Sequence, residues 1–359
     1  MSKEINVAFI GLGNCASSLI QGIGYYEENH LIETKIPGLI TDRIGKYTIG
    51  SINIVSAIDV NIEKIGLPIS QAIFQHPNCA KIFHQGNLFS ELVIPGPVLD
   101  GISERMKGTI KLHDITKSIL EWEEYIVNEL ISKKVDVLVS YLPVGSKEAS
   151  KFYANCALKA KVAFANAMPE FICSTSDWSE RFLKAGVPCA GDDIKSQIGA
   201  TIIHRALVDL IHKRGQIIDN TFQLNVGGNT DFENMLDEER LISKRISKTE
   251  AVTSLVADYD FPTRIGPSDY VPHLNDNKIC YINVIGKQFG GVQFSIDVKL
   301  SVEDSPNSAG VMVDVIRLLK LAKDKGLGGY QEFSSYYFKH PMYQFDDHHA
   351  LNIVKDFIA

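Results

Sequence analysis

The chain has 359 residues, 45% hydrophobic and 22% charged, the make-up of an ordinary folded protein with one large or two medium domains. A net charge of -7, from 36 basic and 43 acidic residues, gives no footprint for nucleic acid. Apolar runs such as Val135 to Leu142 are too short to cross a bilayer, and residues 1–10 lack a signal-peptide pattern, so no membrane partner is expected. The 6 cysteines are scattered with no CxxC pair, which fits reduced thiols in the cytoplasm, packed as small hydrophobes.

Strand-like runs alternate with helix-like stretches through the first two hundred residues. The strands are expected at 5–10, 52–60, 135–142, 162–167 and 187–191, and the helices at 14–26, 117–133, 146–160 and 176–185. Apolar, β-branched strands separated by helices specify a doubly wound parallel sheet, an α/β fold. A long loop-like stretch, 28–50, separates the first helix from the second strand, and long ordered insertions often carry function. A helix over 200–213 then leads into alternating runs, TFQLNVGG, KICYINVIGK and GVQFSIDVKLSV, which suit an antiparallel or mixed sheet open on one face. SPNSAG introduces an apolar helix, VMVDVIRLLKLAKDK, closed by Gly326 and able to pack back on the first domain.

Gly11-Leu12-Gly13-Asn14-Cys15-Ala16 matches G-x-G-x-x-G/A between a strand and a helix, the required setting for a dinucleotide turn. Gly11 permits the tight turn, Gly13 lets backbone approach a pyrophosphate, and Ala16 is small enough for close helix–strand packing. The free N–H groups of the helix end then face the phosphates. Asp59 closes the second strand. It either binds the adenosine ribose, favouring NAD over NADP, or simply ends the strand. Ser140-Tyr141-Leu142-Pro143-Val144-Gly145-Ser146 ends the third strand, on the face where ligands sit, and is placed near the nicotinamide half of the cofactor.

Downstream, Gly191-Asp192-Asp193-Ile194-Lys195-Ser196 carries two adjacent carboxylates. One can cap the next helix while the other faces a site, or both are solvated caps. Asn225 to Asp231 is a second glycine-rich turn, bringing Asn229, Thr230 and Asp231 to a ligand. Lys244 and Lys248 are i, i+4 in SKRISK. On a helix they share a face, and they either await an anion or form a solvated basic surface. Asp304, Ser305 and Asn307 precede the late helix, where Asp304 can orient a lysine and the others can meet ligand or cap. Lys339, among aromatics, is a snorkelling side chain or a buried cation. Asp346-Asp347-His348-His349 reads as surface charge, since neighbours on a helix do not face one metal.

Together the stretches VAFIGLGNCASSLIQG, VDVLVSYLPVGS, GDDIKSQIGAT, QLNVGGNTDF, SKRISKTEAVTS, IGPSDY and EDSPNSAGV resemble the short, prokaryotic-type myo-inositol-phosphate synthases. The resemblance runs from residue 7 to about residue 339. It implies an isomerase that converts D-glucose 6-phosphate to 1D-myo-inositol 3-phosphate with bound NAD, the first step towards inositol and inositol phospholipids. The implied sequence is oxidation at C5, loss of a C6 proton, aldol closure of C6 onto C1, and re-reduction at C5. By motif match it assigns Lys248 to the C5 chemistry, Lys244 and Lys339 to oxyanion stabilisation, and Asp193, Asp304 and Asp231 to orienting these lysines. It puts Gly11, Gly13, Asn14, Cys15, Ala16, Asp59, Ser140, Leu142, Pro143, Asp192, Ser196, Asp304 and Ser305 at the cofactor, and Asn229, Thr230, Lys195 and Asn307 at the substrate. A further family lysine lies shortly before the EDS motif, and Lys287 is the nearest candidate.

The resemblance also implies a Rossmann domain, 1–199 plus 305–359, with an inserted α+β catalytic domain, 200–304, that builds a homotetramer. Some members use a divalent or monovalent cation. There is no His/Cys ligand set here, so any such ion would be held by oxygens. Two rival readings share the opening turn: a simple NAD-dependent sugar-phosphate dehydrogenase, and a non-catalytic NAD-binding homologue. Neither has use for a cluster of lysines.

Overall fold

The structure is a computed structural model that describes residues 5–31, 35–86 and 89–359, without the side chains of 267 and 268. Its strands are β1 (Ile5–Ile10), β2 (Ile52–Asp59), β3 (Ile94–Pro95), β4 (Val137–Ser140), β5 (Ala163–Asn166), β6 (Pro188–Ala190), β7 (Ile217–Gly227), β8 (Thr263–Tyr270), β9 (Asn277–Lys287), β10 (Gln293–Glu303) and β11 (Gly329–Tyr330). Its helices are α1 (Asn14–Glu28), α2 (Ile69–Ala72), α3 (Ile119–Ser132), α4 (Lys147–Ala160), α5 (Ser176–Ala185), α6 (Ala200–Lys213), α7 (Thr230–Asn234), α8 (Ile242–Thr253), α9 (Asp304–Asp324), α10 (Ser334–Tyr337) and α11 (Asp347–Ile358).

Seven strands lie in the order β11-β6-β5-β4-β1-β2-β3, every pair parallel. Six of them follow the nucleotide-binding order 3-2-1-4-5-6, with β1 at the topological switch. Both faces of β1 are covered. Val7 and Phe9 pack under α1 and α9, while Ala8 and Ile10 pack with Trp122, Phe152 and Phe182 of α3, α4 and α5. That two-sided burial is why these strands read as continuous apolar runs. Helix α3 begins where Ser118 and Glu121 form a reciprocal capping box.

Helix α9 is longer than the apolar run suggests. It starts at Asp304, because Pro306 in its first turn lacks only an N–H that has no intrahelical partner there. It returns to the large sheet and holds the 28–50 stretch, of which 32–34 lie outside the described residues. The guanidinium of Arg317, 0% exposed, donates to the carbonyls of Asp42 and Thr41, each at 2.9 Å, and Asp314 accepts from the Ile40 amide at 3.0 Å.

The second sheet has the order β10-β9-β7-β8. β9 is antiparallel to both its neighbours and β8 is parallel to β7, a mixed sheet. Val208 and Ile211 of α6 and Val252 of α8 pack against Ile218, Ile282 and Val284 on one face. Phe222, Leu224 and Tyr281 stand exposed on the strands that form this sheet. β8 did not read as a strand because it contains glycine and proline. It lies at the sheet edge, where a missing N–H is tolerated. No helix among the described residues is long and apolar enough to cross a membrane.

Candidate active site

One long cavity, about 1860 Å³ with the open solvent at its mouth included, runs from the carboxyl ends of β1 and β2 to α8. At its first end the turn after β1 holds Gly11 at φ +81, and a Cβ there would lie 2.7 Å from the Tyr141 carbonyl oxygen, so only glycine fits. Gly13 caps α1 with no side-chain bond to the first helical N–H groups, and a Cβ on it would meet nothing within 4 Å. The helix therefore opens free donors and positive dipole onto empty space, a cradle suited to a pyrophosphate.

Asp59 lines this end but first braces the turn. One oxygen accepts from the Leu12 amide at 2.8 Å, and the other accepts from Val60 and Asn61 at 2.8 and 2.9 Å. Beneath the turn Lys64, 3% exposed, donates to the Leu12 carbonyl at 2.8 Å and to Asn78 at 2.9 Å. Burial lowers its pKa against the pull of Asp59. Asn14, Cys15, Leu142 and Pro143 also line the cavity. The Asn14 side-chain oxygen is occupied by the Cys79 and Ala80 amides, at 2.7 and 2.9 Å. Ala16 lies in the core and Ser140 is fully buried below the floor; neither faces the cavity.

At the second end α8 presents Lys244 and Lys248 on one face, each 8% exposed, which rules out a solvated basic surface. Lys244 donates to Asp231 at 2.6 Å. Burial opposes its charge, but Asp231 and Asp193 together raise its pKa. Lys248 donates to no group among the described residues. Burial, then the charges of Lys244, Lys339 and Lys278, bring its pKa down to about 7. Lys339 is a cavity cation, donating to Asp193 and to the Ile194 carbonyl, each at 2.7 Å. Asp193 also accepts from Ser247; burial favours its neutral form, and Lys339 and Lys244 outweigh that and hold the pKa low. Opposite, Asp304 accepts from Lys278; burial favours its neutral form, and the charge and hydrogen bond of Lys278 with the charges of Lys244 and Lys339 together outweigh that and hold its pKa low.

Between the two ends lie Asn229, Thr230, Asp231, Ser196 and Ser305, all facing the cavity. The Asn229 side-chain oxygen caps α7, and its nitrogen donates to Asp276 at 3.0 Å. Asp276, 1% exposed, also takes the amide and hydroxyl of Ser305, and burial lifts its pKa to about 6. A second helix end opens here. Gly199 caps α6 without a side-chain bond, and Gly199, Ala200 and Thr201 line the wall. Two uncapped helix N-termini facing one cavity give it two places for phosphate.

Three further expected site residues point elsewhere. Asp192, 0% exposed, is saturated by the amides of Ile172, Cys173 and Ser174, the Ser174 hydroxyl and Asn166, so it shapes the loop before α5 and meets no cofactor. Lys195, 2% exposed, donates to the Ser335 carbonyl at 2.9 Å, away from the cavity. Asn307 clasps Ile198, accepting from its amide at 3.0 Å and donating to its carbonyl. The Asp346-Asp347 pair is also more than surface charge. Asp346 caps α11, and Asp347 holds the fully buried Arg205 at 3.0 Å.

Lys278 is the cation that sequence reasoning missed. Lys287, the candidate chosen in its place, is half exposed at the far tip of the β9–β10 hairpin, paired with Asp219 at 2.9 Å. Pairing the two strands would have found Lys278: it lies opposite Val302, two residues before Asp304. Lys64 and Asp276 carried no sequence signal, because each acts through contacts made only in the folded chain.

The inositol-3-phosphate synthase of Mycobacterium tuberculosis is 48% identical over 361 residues, covering 99% of this chain and 96% of its own. The chain belongs to the myo-inositol-1-phosphate synthase family. The family model for myo-inositol-1-phosphate synthase matches residues 199–305, the stretch that supplies Asp231, Lys244, Lys248, Lys278 and Asp304 to the cavity. The inositol-3-phosphate synthase of Corynebacterium glutamicum is 47% identical over 99% of both chains. The crystal structure of a myo-inositol-1-phosphate synthase-related protein from Thermotoga maritima superposes with a TM-score of 0.81 at 21% identity, covering 99% of this chain and 98% of its own, a likeness of fold.

Proposed function

We propose that this chain is an inositol-3-phosphate synthase that turns D-glucose 6-phosphate into 1D-myo-inositol 3-phosphate. The observation that carries the reading is the placing of Lys244, Lys248, Lys278 and Lys339, with Asp231, Asp193 and Asp304, in one cavity with an uncapped α1 terminus. A dehydrogenase with net redox turnover needs the helix terminus but not the four ammonium groups, and the named relatives are synthases.

The glycine turn, the α1 terminus and Asp59 fit an extended NAD. Bound NAD would accept the C5 hydride and give it back, leaving the reaction redox neutral. Lys248, close to half neutral at pH 7, takes the C5 hydroxyl proton and returns it on re-reduction. Lys244, whose pKa Asp231 and Asp193 raise, and Lys339, held in place by Asp193, stabilise the oxyanions that develop at C5 and C1, with Lys278 as a fourth cation. A preorganised donor of this kind is worth roughly 3–4 kcal/mol. A C6 proton passes to a base to give an enolate, whose carbon closes on C1, and the resulting C1 alkoxide takes up one proton, so protons balance over the cycle. The α6 terminus, with Thr201 and Ser196, receives the sugar phosphate. The exposed Phe222, Leu224 and Tyr281 support assembly into a homotetramer through the second sheet.

The test is isotopic. Glucose 6-phosphate deuterated at C5 is expected to give inositol phosphate that keeps its deuterium. Deuterium lost to water, or collected on free reduced cofactor, would overturn the reading.

A further inference from the structure

The segment between β3 and α3 forms a closed loop whose base is pinned on the chain itself. The His113 ring Nε2 lies 2.7 Å from the Gly96 carbonyl and donates to it, while its Nδ1 accepts from the Ile115 amide at 3.1 Å. The ends of residues 97–112 thus meet, as in an Ω-loop. Its inner side turns Val98, Leu99, Ile102, Met106 and Ile110 into the cavity, beside Ile58 and Asp59. That is an apolar wall at the adenosine end of the reading given above.

The loop is tied to both sheets. Asp100 accepts from the amides of Glu148 at 2.7 Å and Ala149 at 2.9 Å, capping α4 of the large sheet. Arg240, on the substrate-side segment between α7 and α8, donates to the Asp100 carbonyl at 2.8 Å and to the Gly101 carbonyl at 3.3 Å. Its Nε donates to the Val144 carbonyl at 2.9 Å, where Asn234 also donates at 2.9 Å. Thr109 donates to Glu233 at 3.1 Å. The bed for Arg240 is Gly145, at φ +85, where a Cβ would lie 2.8 Å from the arginine Cβ. One guanidinium therefore joins the loop, the Tyr141–Ser146 turn and the segment that carries Asn229, Thr230 and Asp231.

We propose that residues 97–112 are a strap over the adenosine half of NAD and that Arg240 is the positioning residue that latches it shut. The proposal rests on the NAD reading and adds a reason for the latch. Reduced cofactor that escaped in mid-cycle would strand an oxidised sugar phosphate, so a redox-neutral enzyme must hold it until the hydride returns. A fork of N–H donors suits three carbonyls in fixed places, which an ammonium cannot span.

The test is release of NADH from the full-length protein, followed by fluorescence after rapid dilution, in wild type, Arg240→Met, Arg240→Lys and Thr109→Val. Arg240→Met is expected to release NADH about tenfold faster or more, since bonds from a charged donor are lost. Arg240→Lys falls between it and wild type, Thr109→Val shows a smaller shift in the same direction, and free NADH builds up when Arg240→Met turns over glucose 6-phosphate. If Arg240→Met does not fold, the other two variants decide, and wild-type release in both overturns the latch. Wild-type release from a folded Arg240→Met overturns it as well, leaving the NAD reading intact. A wild-type chain that binds no NADH overturns both.

Discussion

Lys248 owes its chemistry to burial first and to company second. A lone buried lysine would lose its charge by desolvation, and three more ammonium groups around the cavity push the same way, to a pKa of about 7. Lys248→Met is therefore expected to abolish turnover while NAD still binds. The same variant is expected to be more stable than wild type. Between the folded pKa of about 7 and the unfolded value near 10.4, the unfolded chain binds the proton that the folded chain has lost, so wild-type stability climbs with pH through that window. Removing the lysine removes this penalty, and melting near pH 7 should rise by about 2 °C or more. As a base in the free enzyme, neutral Lys248 should make kcat/KM rise with pH through about 7. A flat profile, or a variant that turns over normally, would contradict the assignment.

At the scale of elements, the β9–β10 hairpin decides which lysine enters the site. Its register brings Lys278 beside Asp304 and carries Lys287 to the opposite tip. Lys278→Met is expected to cost at least about a hundredfold in turnover, the scale of one lost oxyanion donor. Lys287→Met should remain close to wild type, and steady-state rates of the two compare them directly. The α11 terminus gives a stability test. Asp347→Ala leaves Arg205, 0% exposed, with only carbonyl partners. Denaturant unfolding should show a loss of about 2–3 kcal/mol, below the range for a fully buried pair because Asp347 is 37% exposed. His348→Ala next to it should change stability by less than about 0.5 kcal/mol.

Elements were legible in the sequence where one period ran long enough. The apolar runs of β1, β2, β4 and β5 and the i, i+4 spacing of Lys244 and Lys248 needed no tertiary knowledge. β3 and β11, two residues each, have no period to read, and β8 is a strand only because β7 offers it an edge. The roles of adjacent aspartates were likewise hidden. Asp192 and Asp193 differ by one residue, yet one closes a loop and the other meets Lys339. Which way each carboxylate turns is set by donors from residues 166–174 and from Lys339, far off in sequence.

For the whole molecule, the same cavity is assembled from the seven-stranded sheet, which offers the α1 terminus, from the four-stranded sheet and α8, which offer Lys278, Lys244 and Lys248, and from the segment after α10, which offers Lys339. Tetramerisation through the second sheet would fix these parts together, since Leu224 and Tyr281 lie opposite each other in the β7–β9 ladder and both are exposed. Leu224→Lys with Tyr281→Lys is expected to break a particle of four 39.8 kDa chains into smaller species by sedimentation; an unchanged mass would place the interface elsewhere. The central claim is that the cofactor is recycled on the protein. It is tested most directly by incubating the purified chain with glucose 6-phosphate and a trace of NAD and following the products by phosphorus NMR. The account requires inositol monophosphate in many-fold excess over the added NAD. Reduced cofactor rising in step with a keto or acid product would contradict it.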